Sequence, residues 1–214
     1  MALRHYLIAG LGNYAFPGTR HSLGQIVLDS LAKKLNLQLM REKDIKGWSA
    51  TTVVDLVKAK GDAETPQACI TLFKPQQPMN LSGKPIWQAM EKFIGPHPMD
   101  VSKLIVLHDS LEHNPMVCSV KMRGSAEGHN GVKSIIHYTR SDDAFMRLRL
   151  GIGRDEYQDP AKYVLEKLPK DEEAFWVTEG TELAWTKINN RLLYLHENPP
   201  EVEESAPTGK NKRR

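Results

Sequence analysis

Apolar residues along the chain follow two alternating patterns, one typical of strands and one typical of helices. Short apolar or alternating runs predict strands at residues 5–9, 51–57, 68–73, 104–107, 116–123 and 146–152. Apolar residues three or four positions apart predict helices at residues 23–35, 84–94, 132–138 and 170–196. This alternation predicts an α/β fold in a single domain.

The tail composition, the lengths of the apolar runs and the cysteine spacing indicate the class of protein and its compartment. Residues 199–214 are rich in charge and poor in large apolar side chains, so they predict a disordered basic tail after a domain spanning residues 1–198. No apolar run approaches the ~20 residues that cross a bilayer. The apolar segment near the N-terminus is too short for a signal-peptide core. Cys69 and Cys118 lack CxxC spacing, which favours a reducing compartment and buried thiols. We expect a cytoplasmic location, with a mitochondrial one left open.

Charge is distributed unevenly along the chain, and this limits where a nucleic acid could bind. The formal net charge is +3. The tail supplies Lys210, Lys212, Arg213 and Arg214, so the rest of the chain is close to neutral. A general basic surface is therefore excluded, and an RNA site would need a local cluster of cations.

One such cluster is predicted where two strands carry basic residues at alternate positions. Lys121 and Arg123 share one strand face, as do Arg147 and Arg149 on the next predicted strand, and Lys133 lies between them in the sequence. Two such strands side by side would form a local cationic patch. The alternative is a pair of solvated strand faces with no ligand.

A glycine motif follows the first predicted strand. Gly10-Leu11-Gly12-Asn13-Tyr14-Ala15 matches G-x-G-x-x-A, which would indicate a dinucleotide-dependent oxidoreductase. However, the predicted helix begins only after Pro17-Gly18-Thr19, and residues 33–38 contain no acid to hold a ribose. A turn that uses the conformational freedom of glycine is the favoured interpretation.

A histidine and an aspartate stand at the ends of predicted elements. His21 lies where the first helix begins, and peptide dipoles there are expected to keep its imidazole neutral, as a general base requires. Asp109 follows His108 at the carboxyl end of a predicted buried strand, where it could orient an imidazole. A histidine at a helix start with no role, and a metal site of His108, Asp109 and His113, are the alternatives.

Two asparagines stand in loops that precede helices. Asn80 lies in a loop between a predicted strand and a helix, and Asn130 lies where the glycine-bearing segment GSAEGHNG leads into a helix. Each side chain offers both a donor and an acceptor to a ligand. A local capping role is the alternative for Asn80.

Taken in order, several segments resemble the bacterial-type peptidyl-tRNA hydrolase family, whose members free tRNA from prematurely released peptidyl-tRNA. The segments are GLGN…TRHS, KPQQPMNLSGK, LIVLHDS, GHNGVKSII and RLRLGIGR. They cover roughly residues 5–170, and their combination is far more specific than any one of them.

The resemblance implies a single twisted mixed β-sheet flanked by helices, and hydrolysis of the ester between peptide and tRNA 3′ end by a histidine-activated water. It implies that His21 is the catalytic base and that Asp109 orients it. The residues implied to bind the substrate are Asn13, Asn80 and Asn130, and those expected to hold tRNA are Lys121, Arg149 and Lys133. No metal or organic cofactor, membrane or obligate protein partner is implied, and a monomer is expected.

The sequence departs from the family pattern near these residues. The loop between Asn13 and His21 is shorter than the usual NPGxxY type. The other departures are Ser22 for Asn, Ser110 for a second acid, Gln77-Pro78 for Thr-Phe, and Ala126-Glu127 for glycines. They predict a diverged member with altered substrate contacts, a eukaryotic origin being left open. A relative that binds RNA in organelle splicing without hydrolysis is the rival, and the retained His21 and Asp109 favour the enzyme.

Overall fold

The computed structural model describes residues 3–57, 65–95 and 100–198. The predicted tail at 199–214 lies outside the described residues. The strands are β1 His5–Gly10, β2 Met40–Glu42, β3 Gly47–Asp55, β4 Gln67–Pro75, β5 Leu104–Ser110, β6 Cys118–Lys121 and β7 Met146–Gly151. The helices are α1 Leu23–Lys34, α2 Gly83–Phe93, α3 Asn130–Tyr138, α4 Pro160–Tyr163, α5 Lys170–Val177 and α6 Glu179–Glu197.

The strands form one mixed sheet in the order β2-β3-β4-β1-β5-β7-β6. Its centre is parallel, since β1 pairs in parallel with β4 and β5, and β5 pairs in parallel with β7. The outer strands β2, β3 and β6 run antiparallel to their neighbours. This confirms the α/β class, the single domain and the mixed sheet. No helix among the described residues is long and apolar enough to cross a membrane.

Two apolar layers cover the sheet, one on each face. Helices α1 and α6 pack on one face through side chains such as Leu28 and Leu192, and α2 and α3 pack on the other through side chains such as Ile86 and Ile135. All seven residues of β5 are buried, as expected for a central parallel strand. The polar residues at its carboxyl end therefore sit on a rigid support.

The first helix approaches the sheet very closely where β1 and β5 end. A Cβ at Gly24 would overlap the backbone carbonyl oxygens of Leu107 and Leu11. The Leu11 carbonyl also accepts a hydrogen bond of 3.0 Å from the Gln25 N–H. Only glycine fits here, and its absent side chain brings the start of α1 against the carboxyl end of β5.

Several predicted element boundaries were wrong. Strand β3 begins at Gly47 rather than at residue 51, β6 begins at Cys118 rather than at residue 116, and the short elements β2 and α4 were not predicted. The predicted helix 170–196 is two helices, because Thr178 has non-helical φ and ψ of −120° and −98°. Beyond it, Gly180 packs closely against the buried Trp176 ring. The predicted buried thiols are only partly buried, and both cysteines are free.

Candidate active site

His21 and Asp109, predicted to act together, are hydrogen-bonded to each other. The Nδ1 atom of His21 lies 2.9 Å from Oδ1 and 3.0 Å from Oδ2 of Asp109. Because a carboxylate only accepts, Nδ1 carries the proton of the neutral ring and Nε2 carries the lone pair. Within the described part of the chain, Nε2 has no hydrogen-bond partner, and His21 lines a cavity of about 410 Å³. The structure thus brings together a potential base and a group that orients it.

The backbone of His21 is held by the segment that follows α4. The His21 N–H donates to the Val164 carbonyl at 2.8 Å, and the Arg20 N–H donates to the Glu166 carbonyl at 2.9 Å. The Arg20 guanidinium also binds the Glu172 carboxylate at 3.2 Å. These contacts place His21 in a single-turn 3-10 helix directly before α1, so the ring faces the end of β5.

His129 is a second histidine bonded to Asp109, and it was not among the site residues predicted from the sequence. Its Nε2 lies 2.9 Å from Asp109 Oδ1. Its Nδ1 accepts the Val132 N–H at 3.3 Å and so caps helix α3. That acceptor role puts the proton on Nε2, which therefore donates to Asp109. The sequence signals near this residue were the adjacent Asn130 and the segment GHNGVKSII, which contains His129.

The carboxylate of Asp109 is buried and holds its charge because it has two imidazole donors. Burial alone would raise the pKa of Asp109, but the neighbouring His129 and His21 outweigh burial and lower that pKa well below its ordinary value. The preceding residue, His108, is 4% exposed and its Nδ1 donates to the Asp109 carbonyl at 2.7 Å. Burial lowers the pKa of His108 to about 3, so this ring is neutral and supports the loop, as expected for a core histidine.

The prediction that the helix start keeps His21 neutral was wrong, because Asp109 affects the pKa of His21 more than the helix start does. Burial lowers the pKa of His21, but the charge and the hydrogen bond of Asp109 raise it by more, and the net result lies above the ordinary value of 6.5. The imidazole contacts a carboxylate directly, and a full charge at hydrogen-bond distance is stronger than the partial charges of a short 3-10 turn. The fraction of His21 that is neutral, and so able to act as a base, therefore increases as the pH rises.

Two of the three predicted asparagines line the site, and the third is engaged locally. Asn130 lines the cavity beside His21 and also a second cavity of about 730 Å³, so it lies where the two meet. Asn80 lines the second cavity with Lys133. Asn13 lines neither, and its Oδ1 accepts the Ala15 N–H at 3.3 Å in a local turn. Asn13 therefore lies outside both cavities.

The predicted cationic patch is smaller than expected. Strands β6 and β7 are neighbours, with Lys121 opposite Arg147 and Ser119 opposite Arg149. Arg147 is 1% exposed, however, and donates to the Ser125 carbonyl at 2.8 Å and to the Gly124 carbonyl at 2.9 Å. Its guanidinium therefore supports the loop and is unavailable to a ligand.

Two of the remaining cations of the patch, Lys121 and Arg149, share a single carboxylate, whereas Arg123 is exposed beyond the end of β6. Lys121 Nζ lies 2.6 Å from Glu127 Oε1, and Arg149 Nη1 lies 3.2 Å from Glu127 Oε2. Lys133 lines the second cavity instead and does not take part in the ion pairs of Lys121 and Arg149 with Glu127.

His21, Asp109 and His129 also have the composition of a metal site. One ligand atom from each lies within 4.8 Å of the others. The predicted alternative of His108, Asp109 and His113 is not assembled, because His113 instead binds the Ser110 and Ser119 hydroxyls at 2.9 Å and 2.8 Å. A cation on Nδ1 of His21 would displace the proton to Nε2 and remove the free lone pair, so metal binding and base function are mutually exclusive at this ring.

Comparison with known proteins identifies the family. A family model described as peptidyl-tRNA hydrolase matches residues 7–195. The peptidyl-tRNA hydrolase of Caldanaerobacter subterraneus is 34% identical over 181 residues, covering 84% of this chain and 88% of the relative. That of Alkaliphilus metalliredigens is 36% identical over 169 residues, covering 78% of this chain and 82% of the relative.

Solved structures agree with the sequence comparison. A crystal structure of peptidyl-tRNA hydrolase from Acinetobacter baumannii matches with a TM-score of 0.71 at 25% identity, covering 92% of this chain and 93% of that one. A peptidyl-tRNA hydrolase in complex with n-propanol matches with a TM-score of 0.70 at 27% identity, covering 88% of each chain. Neither the dinucleotide-dependent oxidoreductase nor the splicing relative is supported by these matches. The chain belongs to the peptidyl-tRNA hydrolase family.

Proposed function

We propose that this protein hydrolyses the ester bond between the peptide and the 3′-terminal ribose of peptidyl-tRNA, with His21 as general base. The observation that carries the proposal is the free Nε2 atom of His21 at the cavity, with Nδ1 fixed by the buried Asp109. An imidazole held in this tautomer can accept a proton through Nε2 alone. No cofactor enters the proposed reaction.

The proposed reaction conserves every proton. Nε2 of His21 takes one proton from water as the water oxygen bonds to the ester carbonyl carbon. The resulting imidazolium is stabilised by Asp109 at 2.9 Å. When the carbon–oxygen bond to the ribose breaks, Nε2 returns the proton to the leaving ribose oxygen. The products are a peptide with a free carboxylic acid, which then loses its proton to solvent, and a tRNA with an intact 3′-terminal ribose.

The asparagines are proposed to position the substrate across the two cavities. Asn130 lies at their junction, and Asn80 lines the farther one. Their amide groups suit the alternating donors and acceptors of a peptide backbone. An amide N–H directed at the ester carbonyl would also stabilise the developing oxyanion, a contribution of ~3–4 kcal/mol per donor in acyl-transfer enzymes.

The RNA part of the substrate is proposed to bind at Lys121 and Arg149, since both are partly exposed, at 19% and 18%, on neighbouring strands beside the site. Phosphate contacts of this kind make the affinity for RNA depend on salt. Cytosolic translation is the proposed source of the substrate, so the cytoplasm is the proposed location. The monomer stays a prediction.

Incubation with an N-acylated aminoacyl-tRNA in H₂¹⁸O tests the activity. We expect release of the acyl-amino acid with one ¹⁸O atom in its new carboxylate, together with intact tRNA. If the protein binds this tRNA but releases no acyl-amino acid, it is an RNA-binding relative and the proposed hydrolysis is wrong.

A further inference from the structure

Glu127 neutralises the two cations that the proposed function assigns to RNA. Its Oε1 lies 2.6 Å from Lys121 Nζ, and its two oxygens lie 3.4 Å and 3.2 Å from Arg149 Nη1. The Lys121 hydrogen bond and the nearby Arg149 lower the pKa of Glu127, so its side chain is an anion at neutral pH. A carboxylate held in this way fills the position that a phosphate group would take between the same donors.

The backbone at Glu127 is in a conformation that favours glycine. Its φ is +49°, in the left-handed region, and the next residue, Gly128, has φ of +84°. An L-residue with a long side chain is unfavourable there. Glu127 makes its ion pairs with Lys121 and Arg149 from this unfavourable backbone conformation.

The loop that carries Glu127 has supports that do not involve its carboxylate. Arg147 donates to the carbonyls of Gly124 and Ser125 at 2.9 Å and 2.8 Å. Lys121 Nζ also donates to the Ser125 carbonyl at 3.1 Å. The side chain of Glu127 is therefore able to leave the cations, being about one-third exposed at 34%, while these contacts keep the loop in place.

We propose that Glu127 is an internal competitor for substrate phosphate: it occupies the anion position between Lys121 and Arg149, and an RNA phosphate binds there only by displacing it. The identity of the displacing group as RNA rests on the proposed function. The existence of an anion position rests on the two ion pairs alone. The expected consequence is a protein that binds RNA more weakly, and with a smaller salt dependence, than its cations would otherwise allow.

The test compares Glu127→Gln with the wild type in binding deacylated tRNA, measured by fluorescence anisotropy over a range of salt concentrations. Glutamine keeps the size of the side chain and removes its charge. We expect roughly 10-fold tighter binding at low salt and a slope of log K against log salt that steepens by about 1. The matched control is Glu182→Gln, which removes the partner of Lys34 at an exposed position of α6 and is expected to leave both quantities unchanged.

Two outcomes would overturn the proposal. If Glu127→Gln binds tRNA no tighter than the wild type, the carboxylate organises the cations and does not compete with RNA. If Glu182→Gln produces the same gain, the effect is one of net charge. Glu127→Gly provides a second variant, because glycine accepts the positive φ; its binding is expected to tighten in the same way.

A phosphate experiment separates this proposal from the proposed function. Thermal unfolding with inorganic phosphate is expected to show a larger stabilisation of Glu127→Gln than of the wild type, and this difference is expected to disappear when Lys121→Ala is added. A gain in phosphate binding without peptidyl-tRNA hydrolysis would support the anion position and refute the function. If the wild type hydrolyses peptidyl-tRNA but Glu127→Gln shows no gain in phosphate or tRNA binding, the proposed function is supported and the anion position is refuted.

Discussion

Replacing Asp109 by asparagine tests the buried carboxylate most sharply, because the change removes its charge and keeps its shape. Asp109 is 2% exposed. Its Oδ1 accepts from His21 Nδ1 and from His129 Nε2, each at 2.9 Å. An asparagine can present its single oxygen at the position of Oδ1, so both imidazoles can keep a hydrogen bond there while the negative charge is lost. Its N–H₂ group replaces Oδ2, which accepts from His21 Nδ1 at 3.0 Å.

The expected magnitude follows from the charge that forms on His21 as it takes the proton. Two unit charges ~4 Å apart at an effective dielectric constant of ~20 interact by about 4 kcal/mol. Losing this stabilisation in the transition state corresponds to a decrease in kcat of ~10³-fold. We expect this decrease in single-turnover hydrolysis with saturating enzyme, and an unchanged Kd for deacylated tRNA.

The pH profile provides an independent measure of the same interaction. In the wild type, burial lowers the pKa of His21 and Asp109 raises it by more, so the rate should fall as the pH drops through a pKa above 6.5. In Asp109→Asn the charge is lost while burial still lowers the pKa of His21, so this limb should move to lower pH. A variant whose rate is within about threefold of the wild type, or whose acid limb stays at the same pH, would refute the reasoning.

Two further substitutions test the supports of the site. Arg147→Ala leaves the Gly124 and Ser125 carbonyls without their donor, so we expect urea denaturation to show a loss of ~2–4 kcal/mol in unfolding free energy. The matched control is Arg123→Ala at an exposed position, and an equal loss in both variants would contradict the role assigned to Arg147. Gly24→Ala would force α1 away from Leu107 and Leu11, and a loss of ~3 kcal/mol or failure to fold is expected, whereas unchanged thermal stability would show that the close approach is dispensable.

The central elements could be predicted because each has a local signal. The apolar runs of β1 and β5 and the spacing of apolar residues in α1 appear in any short window. Asn36, just after α1, has φ of +54°, a conformation that asparagine adopts more readily than most residues. The break at Thr178 has no such signal, because residues on both sides continue the helical spacing. At the break Thr178 has φ of −120° and ψ of −98°, and Gly180 packs against the Trp176 ring, neither of which the spacing of apolar residues reveals.

The candidate site could be predicted only in part, because contacts between distant segments leave no local signal in the sequence. His21 and Asp109 stand at element ends, and the family resemblance relates them. His129 pairs with Asp109 across 20 positions of sequence, and no pattern of residues specifies that hydrogen bond. Strand alternation correctly placed Arg147 beside Arg149, but it could not show that a loop covers one guanidinium and leaves the other near the surface.

The central claim is that Nε2 of His21 activates the water, and single-turnover hydrolysis of peptidyl-tRNA by His21→Ala tests it directly. We expect the rate to fall by at least ~10²-fold, with the Kd for deacylated tRNA unchanged. His196→Ala, an exposed histidine of α6, serves as the matched control and should retain the wild-type rate. Hydrolysis by His21→Ala at the wild-type rate would show that another group activates the water.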